Sequence, residues 1–169
     1  MSDFFSQYAY VCFVCEGTTE TDIIQRFHED HILRFDENKM DFGWMWVRTK
    51  QQKEALIDDI ASSDRDGRTA ILYVHDSRTE RWVVNKQSKL FMEYNQIDVI
   101  DVITAPEIEI LYIVIHPELY QQWNRGTKQK PSLFCKEMLG RKNIKNKGVF
   151  VDELFASTSQ LVQACRLYT

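Results

Sequence analysis

Short, nearly continuous apolar runs alternate with helical patterns along this chain, and this alternation restricts the possible folds more than any other property. The runs Tyr8 to Cys15 and Thr69 to His75 are apolar at almost every position, as is typical of strands buried on both faces of a parallel sheet. Two weaker candidate strands are Gly43 to Arg48 and Asp98 to Thr104. The order predicts an α/β fold with a mainly parallel, four-stranded sheet and right-handed crossovers.

Helical patterns fill the intervals between the strands and most of the chain after them. Thr18 or Thr19 is suited to cap the first helix, and Pro106 suits the first turn of the helix after the fourth strand. We therefore expect one domain with a sheet core at 1–116 and a helical, basic extension at 117–169. The other predicted helices are Gln51 to Ala61, Trp82 to Tyr94, Pro131 to Leu139 and Ser157 to Tyr168.

The size and composition are those of one globular domain. The chain has 169 residues, of which 44% are hydrophobic, and no low-complexity tract, so a single core is expected. It contains no apolar run of the length that spans a membrane, and its first ten residues, MSDFFSQYAY, lack the basic region of a signal peptide. We expect a cytoplasmic protein with no membrane segment.

The four cysteines are expected to be reduced thiols in the core. Cys12 and Cys15 form a C-x-x-C string, but strand alternation points them to opposite faces of the sheet. A zinc site would need a second pair of ligands at suitable spacing, and none follows. The other two cysteines are Cys135 and Cys165.

The charge is distributed unevenly along the chain. Between Pro117 and Gly148, eight basic and two acidic residues give +6, whereas the whole chain carries −4 and the remainder therefore −10. Trp123 and Phe134 lie among these basic residues, so the stretch has the composition to follow a phosphate backbone and stack bases. A solvated basic face is the alternative interpretation. The candidate nucleic-acid-binding residues of this stretch are Arg125, Lys142 and Lys147.

Three carboxylates are predicted to gather at one edge of the sheet. Glu16 ends the first strand, Asp76 ends the third, and Glu109 lies in the first turn of the helix after the fourth. The carboxyl ends of parallel strands share an edge, and this edge is where open α/β sheets bind ligands. Carboxylates gathered there repel one another unless a cation lies between them, and oxygen ligands favour Mg²⁺ or Mn²⁺ over zinc.

Other roles are open to these and the neighbouring acids. Glu16 and Asp76 could simply occupy turns, where acidic residues and glycine are common. Glu20 is suited equally to a metal ligand and to compensation of the helix dipole at a helix start. Glu107 is expected to face solvent.

Three segments resemble a known family. The turn Cys15 to Glu20 (CEGTTE), the strand end Tyr73 to Arg78 (YVHDSR) and the segment Ala105 to Val114 (APEIEILYIV) are similar to Toprim-fold proteins. The resemblance is strongest to the RloB-like members of the OLD-type Toprim nucleases of bacterial phage defence. It covers roughly Val11 to Val114, and the lysine-rich region after it less clearly.

The resemblance implies a set of metal ligands. In that family a glutamate after the first strand, an Asp-x-Asp after a later strand and a Pro-x-x-Glu hold Mg²⁺, which here correspond to Glu16, Asp76 and Glu109. The second aspartate of the Asp-x-Asp falls on Arg78. Glu80 could replace the missing ligand, or Arg78 could bind a phosphate.

The resemblance also implies an activity and a partner. Lys136 and Lys145 correspond to the downstream lysine of the family, with a catalytic or phosphate-neutralising role. Family members of this size act beside an ABC-type or AAA-type ATPase as effectors of a defence system.

The sequence therefore predicts a Mg²⁺- or Mn²⁺-dependent nuclease acting on DNA or RNA. Because Arg78 replaces an aspartate, the alternative is a degenerate Toprim module that serves as an assembly or sensor subunit. A phosphotransferase is disfavoured by the absence of a glycine-rich phosphate loop in the sequence.

Overall fold

The structure, a computed structural model, describes residues 4–33, 35–76, 79–104, 107–126, 129–140 and 149–168, with 42–46 and 149–150 as backbone only. Its described helices do not include one with the length and apolar character needed to cross a membrane.

Four parallel strands form the sheet, in the order β2-β1-β3-β4. The prediction of a parallel, four-stranded sheet is confirmed. β2 begins three residues earlier than predicted and ends before Arg48, which follows the strand. The strands are β1 (Tyr10–Cys15), β2 (Met40–Trp46), β3 (Thr69–His75) and β4 (Ile97–Ile103).

Helices flank this sheet and form the C-terminal part of the described chain. The prediction that α3 starts at Trp82 is wrong by four residues, because Asn85 caps the helix by accepting a hydrogen bond from the Ser88 amide. Before this cap, Trp82 packs edge-on against the Tyr73 ring, 5.2 Å between centroids, and Val84 is buried. The helices are α1 (Thr18–Glu29), α2 (Lys50–Ser62), α3 (Lys86–Tyr94), α4 (Ile110–Val114), α5 (Pro117–Arg125), α6 (Pro131–Leu139) and α7 (Thr158–Tyr168), with a π-helical turn at Val149–Glu153.

The two faces of the sheet carry separate cores. Alternate strand residues such as Val14 and Tyr73 pack against α2, whereas Phe13 and Val74 pack on the opposite face with Ile24 of α1. The C-terminal helices add a third cluster, in which residues of α4 and α7 pack against α1. The helical extension therefore shares a core with the first helix.

The strand order creates a switch point between β1 and β3. The chain leaves β1 toward β2 on one side, returns past β1 to β3, and then continues outward to β4. The connections after β1 and β3 consequently diverge, and they leave a crevice at the carboxyl ends of these two strands, where doubly wound sheets bind ligands. Glu16 and Asp76 are the residues that follow these two strands.

All four cysteines are free thiols, as predicted. Cys12 and Cys15 are buried on opposite faces of the sheet, so they share neither a disulfide nor a ligand. Burial is the main reason that the pKa of each rises to about 12.

Candidate functional site

Glu16 and Asp76 meet at the switch point, as predicted from the parallel alternation. The Glu16 backbone amide extends the β1–β3 ladder by donating to the Val74 carbonyl at 3.0 Å. The Glu16 carboxylate in turn accepts a hydrogen bond from the Asp76 backbone amide. These bonds fix the first residue after β1 beside the first residue after β3.

A cavity of about 250 Å³ opens at this point. It contains oxygen ligands suited to a hard cation and one guanidinium suited to a phosphate. Glu16, Glu20 and Asp76 supply the carboxylates, and Arg48 supplies the cation. The remaining described lining residues are Gly17, Thr18, Thr19 and Ile108.

The electrostatics of Glu16 disfavour its charged form. Burial raises the pKa of the Glu16 carboxyl above its usual value, and the charges of Glu80 and Asp76 raise it further. The Asp76 amide hydrogen bond and the nearby His75 act in the opposite direction but do not cancel the effect. A metal ion between these carboxylates would instead lower the pKa of Glu16, because it would favour the ionised state.

Glu20 folds back over the start of α1. It is buried and lines the cavity, and a Cβ atom at position 17 would collide with its carboxylate. Gly17 is therefore needed for the close approach of Glu20. The predicted threonine cap of α1 is wrong, because Gly17 occupies the N-cap position and has no side chain with which to cap the helix. The Thr21 hydroxyl donates to the Gly17 carbonyl.

Glu80 contacts two polar side chains, Tyr73 of β3 and Lys53 of α2. Its Oε1 accepts a hydrogen bond from the Tyr73 hydroxyl at 2.7 Å and lies 3.5 Å from the ammonium of Lys53. The Tyr73 bond is the main reason that the pKa of Glu80 falls below its usual value. These contacts give Glu80 protein partners, while its charge still acts on Glu16. Its role as a replacement metal ligand stays a prediction.

Glu109 and Glu107 belong to the packing between α4 and α6. Glu109 is fully buried, and its carbonyl lies 3.8 Å from the Sγ of Cys135 on α6. Ile108, not Glu109, is among the described residues that line the cavity. The prediction that Glu107 faces solvent is wrong, because its carboxylate is buried and accepts the Ser132 backbone amide at 3.0 Å, near the start of α6. The role of Glu109 as a third ligand stays a prediction.

The predicted basic residues are described only in part. Arg125 is exposed at the last residue of α5, and Lys136 is half-buried on α6. Neither is among the described residues that line the cavity. Arg78, Lys142, Lys145 and Lys147 lie outside the described residues.

Arg48 is the site residue that sequence reasoning did not identify. Its Nε donates to the Glu16 carbonyl at 3.0 Å, and its backbone amide donates to Gln52 Oε1 at 3.1 Å. Gln52 and Thr49 form the capping box of α2, so the start of this helix holds Arg48 in place. The available signal was its position, since Arg48 follows a parallel strand at the same edge as Glu16 and Asp76.

Within the described ranges, no group of three or more His, Cys, Asp or Glu side chains could hold a metal ion by itself. Comparisons with protein-family models, with curated proteins and with solved structures find no match to this chain.

Proposed function

We propose that this protein is a Toprim-like, Mg²⁺- or Mn²⁺-dependent nuclease that hydrolyses phosphodiester bonds of DNA or RNA. The observation that carries the proposal is the meeting of Glu16 and Asp76 at the switch point, in a cavity that also contains Arg48. The resemblance to the RloB-like nucleases supports the same reaction. It also supports an ATPase partner and a role as the effector of an antiphage system.

The donor set of the cavity fits a hard divalent cation. Mg²⁺ is usually held by one or two carboxylates, with water and substrate phosphates completing its coordination. Glu16 and Asp76 would supply these carboxylates, and Glu20 lines the same cavity. When bound there, the cation would supply the charge that lowers the pKa of a water molecule and stabilises the scissile phosphate.

The chain's own residues would position the substrate. Arg48 is exposed at the cavity, and its guanidinium is anchored through Nε to the Glu16 carbonyl. A planar guanidinium suits a phosphodiester because it presents several N–H donors in one plane. The basic segment from Pro117 to Gly148, including Lys136 and Lys145, would hold the rest of the strand by its charge.

The test combines metal binding with cleavage for matched variants. Melting temperature with and without Mn²⁺, and cleavage of single-stranded and double-stranded DNA and RNA, are measured for wild type, Glu16→Gln, Asp76→Asn and Glu109→Gln. Glu93→Gln is the control, because it removes the same charge from an exposed position on α3, outside the basic segment. We expect Mn²⁺ to stabilise the wild type and the control, and Glu16→Gln and Asp76→Asn to abolish both stabilisation and cleavage.

Two outcomes would contradict the proposal. Cleavage that survives substitution of Glu16, Asp76 and Glu109 would exclude a carboxylate-held metal. A wild type that neither binds Mn²⁺ nor cleaves, even with an ATPase partner supplied, would favour the degenerate Toprim module instead.

Strand binding has a separate test. Binding through the basic segment should weaken steeply as salt concentration rises. It should also weaken when Lys142, Lys145 and Lys147 are changed together to glutamate. Binding that is insensitive to both changes would identify this segment as a solvated face.

A further inference from the structure

β4 forms one edge of the described sheet, and of the usual protections of an edge strand it carries only the charges of Asp98 and Asp101. Its seven residues pair with β3 in an unbroken register, and its sequence, IDVIDVI, contains neither lysine nor proline. The other edge strand, β2, has an irregular register with β1. An edge strand with an unbroken register and without lysine, proline or a bulge presents a regular row of backbone groups with which another strand can pair.

The outer side of β4 presents a regular row of backbone groups. Thr69 donates to the Gln96 carbonyl and Thr104 donates to the His75 carbonyl, so even-numbered residues around β4 point toward β3. In a parallel ladder the alternate residues point the other way. Their N–H and C=O groups therefore face outward, where the described sheet has no further strand. These outward residues are Ile97, Val99, Asp101 and Ile103.

The sequence of β4 is compatible with pairing to itself. In an antiparallel pair related by a twofold axis at Ile100, Val99 lies opposite Asp101 of the second copy. Both residues have outward backbone groups, so each such pair exchanges two hydrogen bonds. Asp98 then lies opposite Val102, and Ile97 opposite Ile103. The register therefore places no two aspartates directly opposite each other.

Each aspartate of β4 also has a partner within its own chain. Arg68 lies 2.7 Å from Asp98, and the His75 Nε2 atom lies 3.2 Å from Asp101. The Arg68 charge reduces the repulsion expected between two acidic strands. The exposed apolar side chains at the end of β4, Val102 at 37% and Ile103 at 45%, would be covered by the second copy.

We propose that two copies of this chain associate through antiparallel pairing of their β4 strands. The result is one continuous sheet of eight strands, twice the four of a single copy. This inference is independent of the proposed nuclease function, because it uses no residue of the cavity.

The test uses charge at Val102, whose predicted neighbour across the seam is Asp98. Val102→Asp places like charges opposite each other at two equivalent positions, whereas Val102→Lys places opposite charges there. Both variants lose the same apolar side chain, so a difference between them reports the neighbour rather than folding. Leu90→Asp, at an exposed position of α3 (55%) outside β4, is the control.

Sedimentation equilibrium of the full chain, at concentrations up to about 100 µM, should give twice the mass of 20.0 kDa. We expect Val102→Asp to weaken the dimer by about tenfold or more, and Val102→Lys and Leu90→Asp to leave it intact. Hydrogen exchange should show that the Val99 and Asp101 amides are protected and lose protection on dilution. A monomeric wild type, equal weakening by both Val102 variants, or dissociation by Leu90→Asp would overturn the proposal.

Discussion

Replacing Lys53 by methionine tests the buried contacts that Lys53 makes with Tyr73 and Glu80. The Lys53 side chain is only 6% exposed, and its ammonium donates to the Tyr73 hydroxyl at 2.9 Å. It also lies 3.5 Å from Glu80 and 4.2 Å from the centre of the Tyr73 ring. Methionine keeps most of the apolar stem but removes the charge and its donors.

The expected loss follows from these contacts. A hydrogen bond from a charged donor contributes roughly 1.5 to 3 kcal/mol, and a desolvated cation–π contact up to about 2 kcal/mol. The variant also avoids the desolvation of a buried ammonium, which offsets part of this sum. Tyr73 keeps Glu80 as its acceptor, and Glu80, 33% exposed, is able to regain water. We therefore expect a net loss of about 2 kcal/mol, or about 4 to 8 °C in melting temperature for a domain of this size.

Lys50→Met is the matched control. Lys50 lies on the same helix and also pairs with a glutamate, Glu54 at 3.7 Å, but its side chain is 57% exposed. Such surface pairs contribute about 0.5 kcal/mol or less. Urea unfolding of both variants, and of Glu80→Gln alone and combined with Lys53→Met, would isolate the coupling between Lys53 and Glu80.

If Lys53→Met were as stable as Lys50→Met, the contacts of Lys53 would do no more than offset its own desolvation. The metal proposal adds a second expectation. Removal of this positive charge leaves the negative charge of Glu80 near Glu16 less compensated, so Mn²⁺ affinity should not fall even though stability does.

Three further predictions concern other groups that are partly or fully buried. Because the pKa of Glu16 is raised in the folded state, the stability that its neutral form provides is lost as pH rises above the ordinary value of 4.5. In thermal melts without metal, the stability of Glu16→Gln relative to wild type should therefore increase as pH rises. A stability difference that is constant with pH would contradict this. Glu107→Ala should lower the free energy of unfolding by about 1 to 2 kcal/mol in urea titration, because the start of α6 loses its cap, and an unchanged value would mean that water replaces the carboxylate. The thiols of Cys12, Cys15 and Cys135, each with a pKa raised to about 12, should react with Ellman's reagent only after unfolding. Cys165 is only partly buried, so rapid reaction of more than one thiol per native chain would refute the burial of the other three.

The sheet and the Glu16–Asp76 pair could be predicted because they depend on local pattern and one topological rule. Nearly continuous apolar runs separated by helices require parallel strands, and parallel strands bring the residues after them to one edge. Both steps use residue order alone. The register and the hydrogen bond from Asp76 to Glu16 add precision without changing the conclusion.

The surroundings of Glu107 and Glu109 could not be predicted in the same way. α4 has only five residues, too few for a periodic pattern to show which side is buried. The burial of these acids depends on α6, which packs on them from about twenty-five residues later in the chain. The helix predicted to start at Trp82 was wrong for a related reason. The apolar side chains of Trp82 and Val84 suggested a helix, but they belong to an irregular segment, in which Trp82 packs against Tyr73 of β3 and Val84 is buried.

Arg48 shows that an error of two residues in a strand boundary can hide a residue of the candidate site. The prediction placed Arg48 inside the second strand, where its side chain would point to one face of the sheet. The structure ends β2 at Trp46, so Arg48 belongs to the connection at the carboxyl edge. Applied to this boundary, the rule that identified Glu16 and Asp76 also identifies Arg48. The site then contains acids and a guanidinium on adjacent strand ends, a combination that suits a metal-bound phosphate better than a metal ion alone.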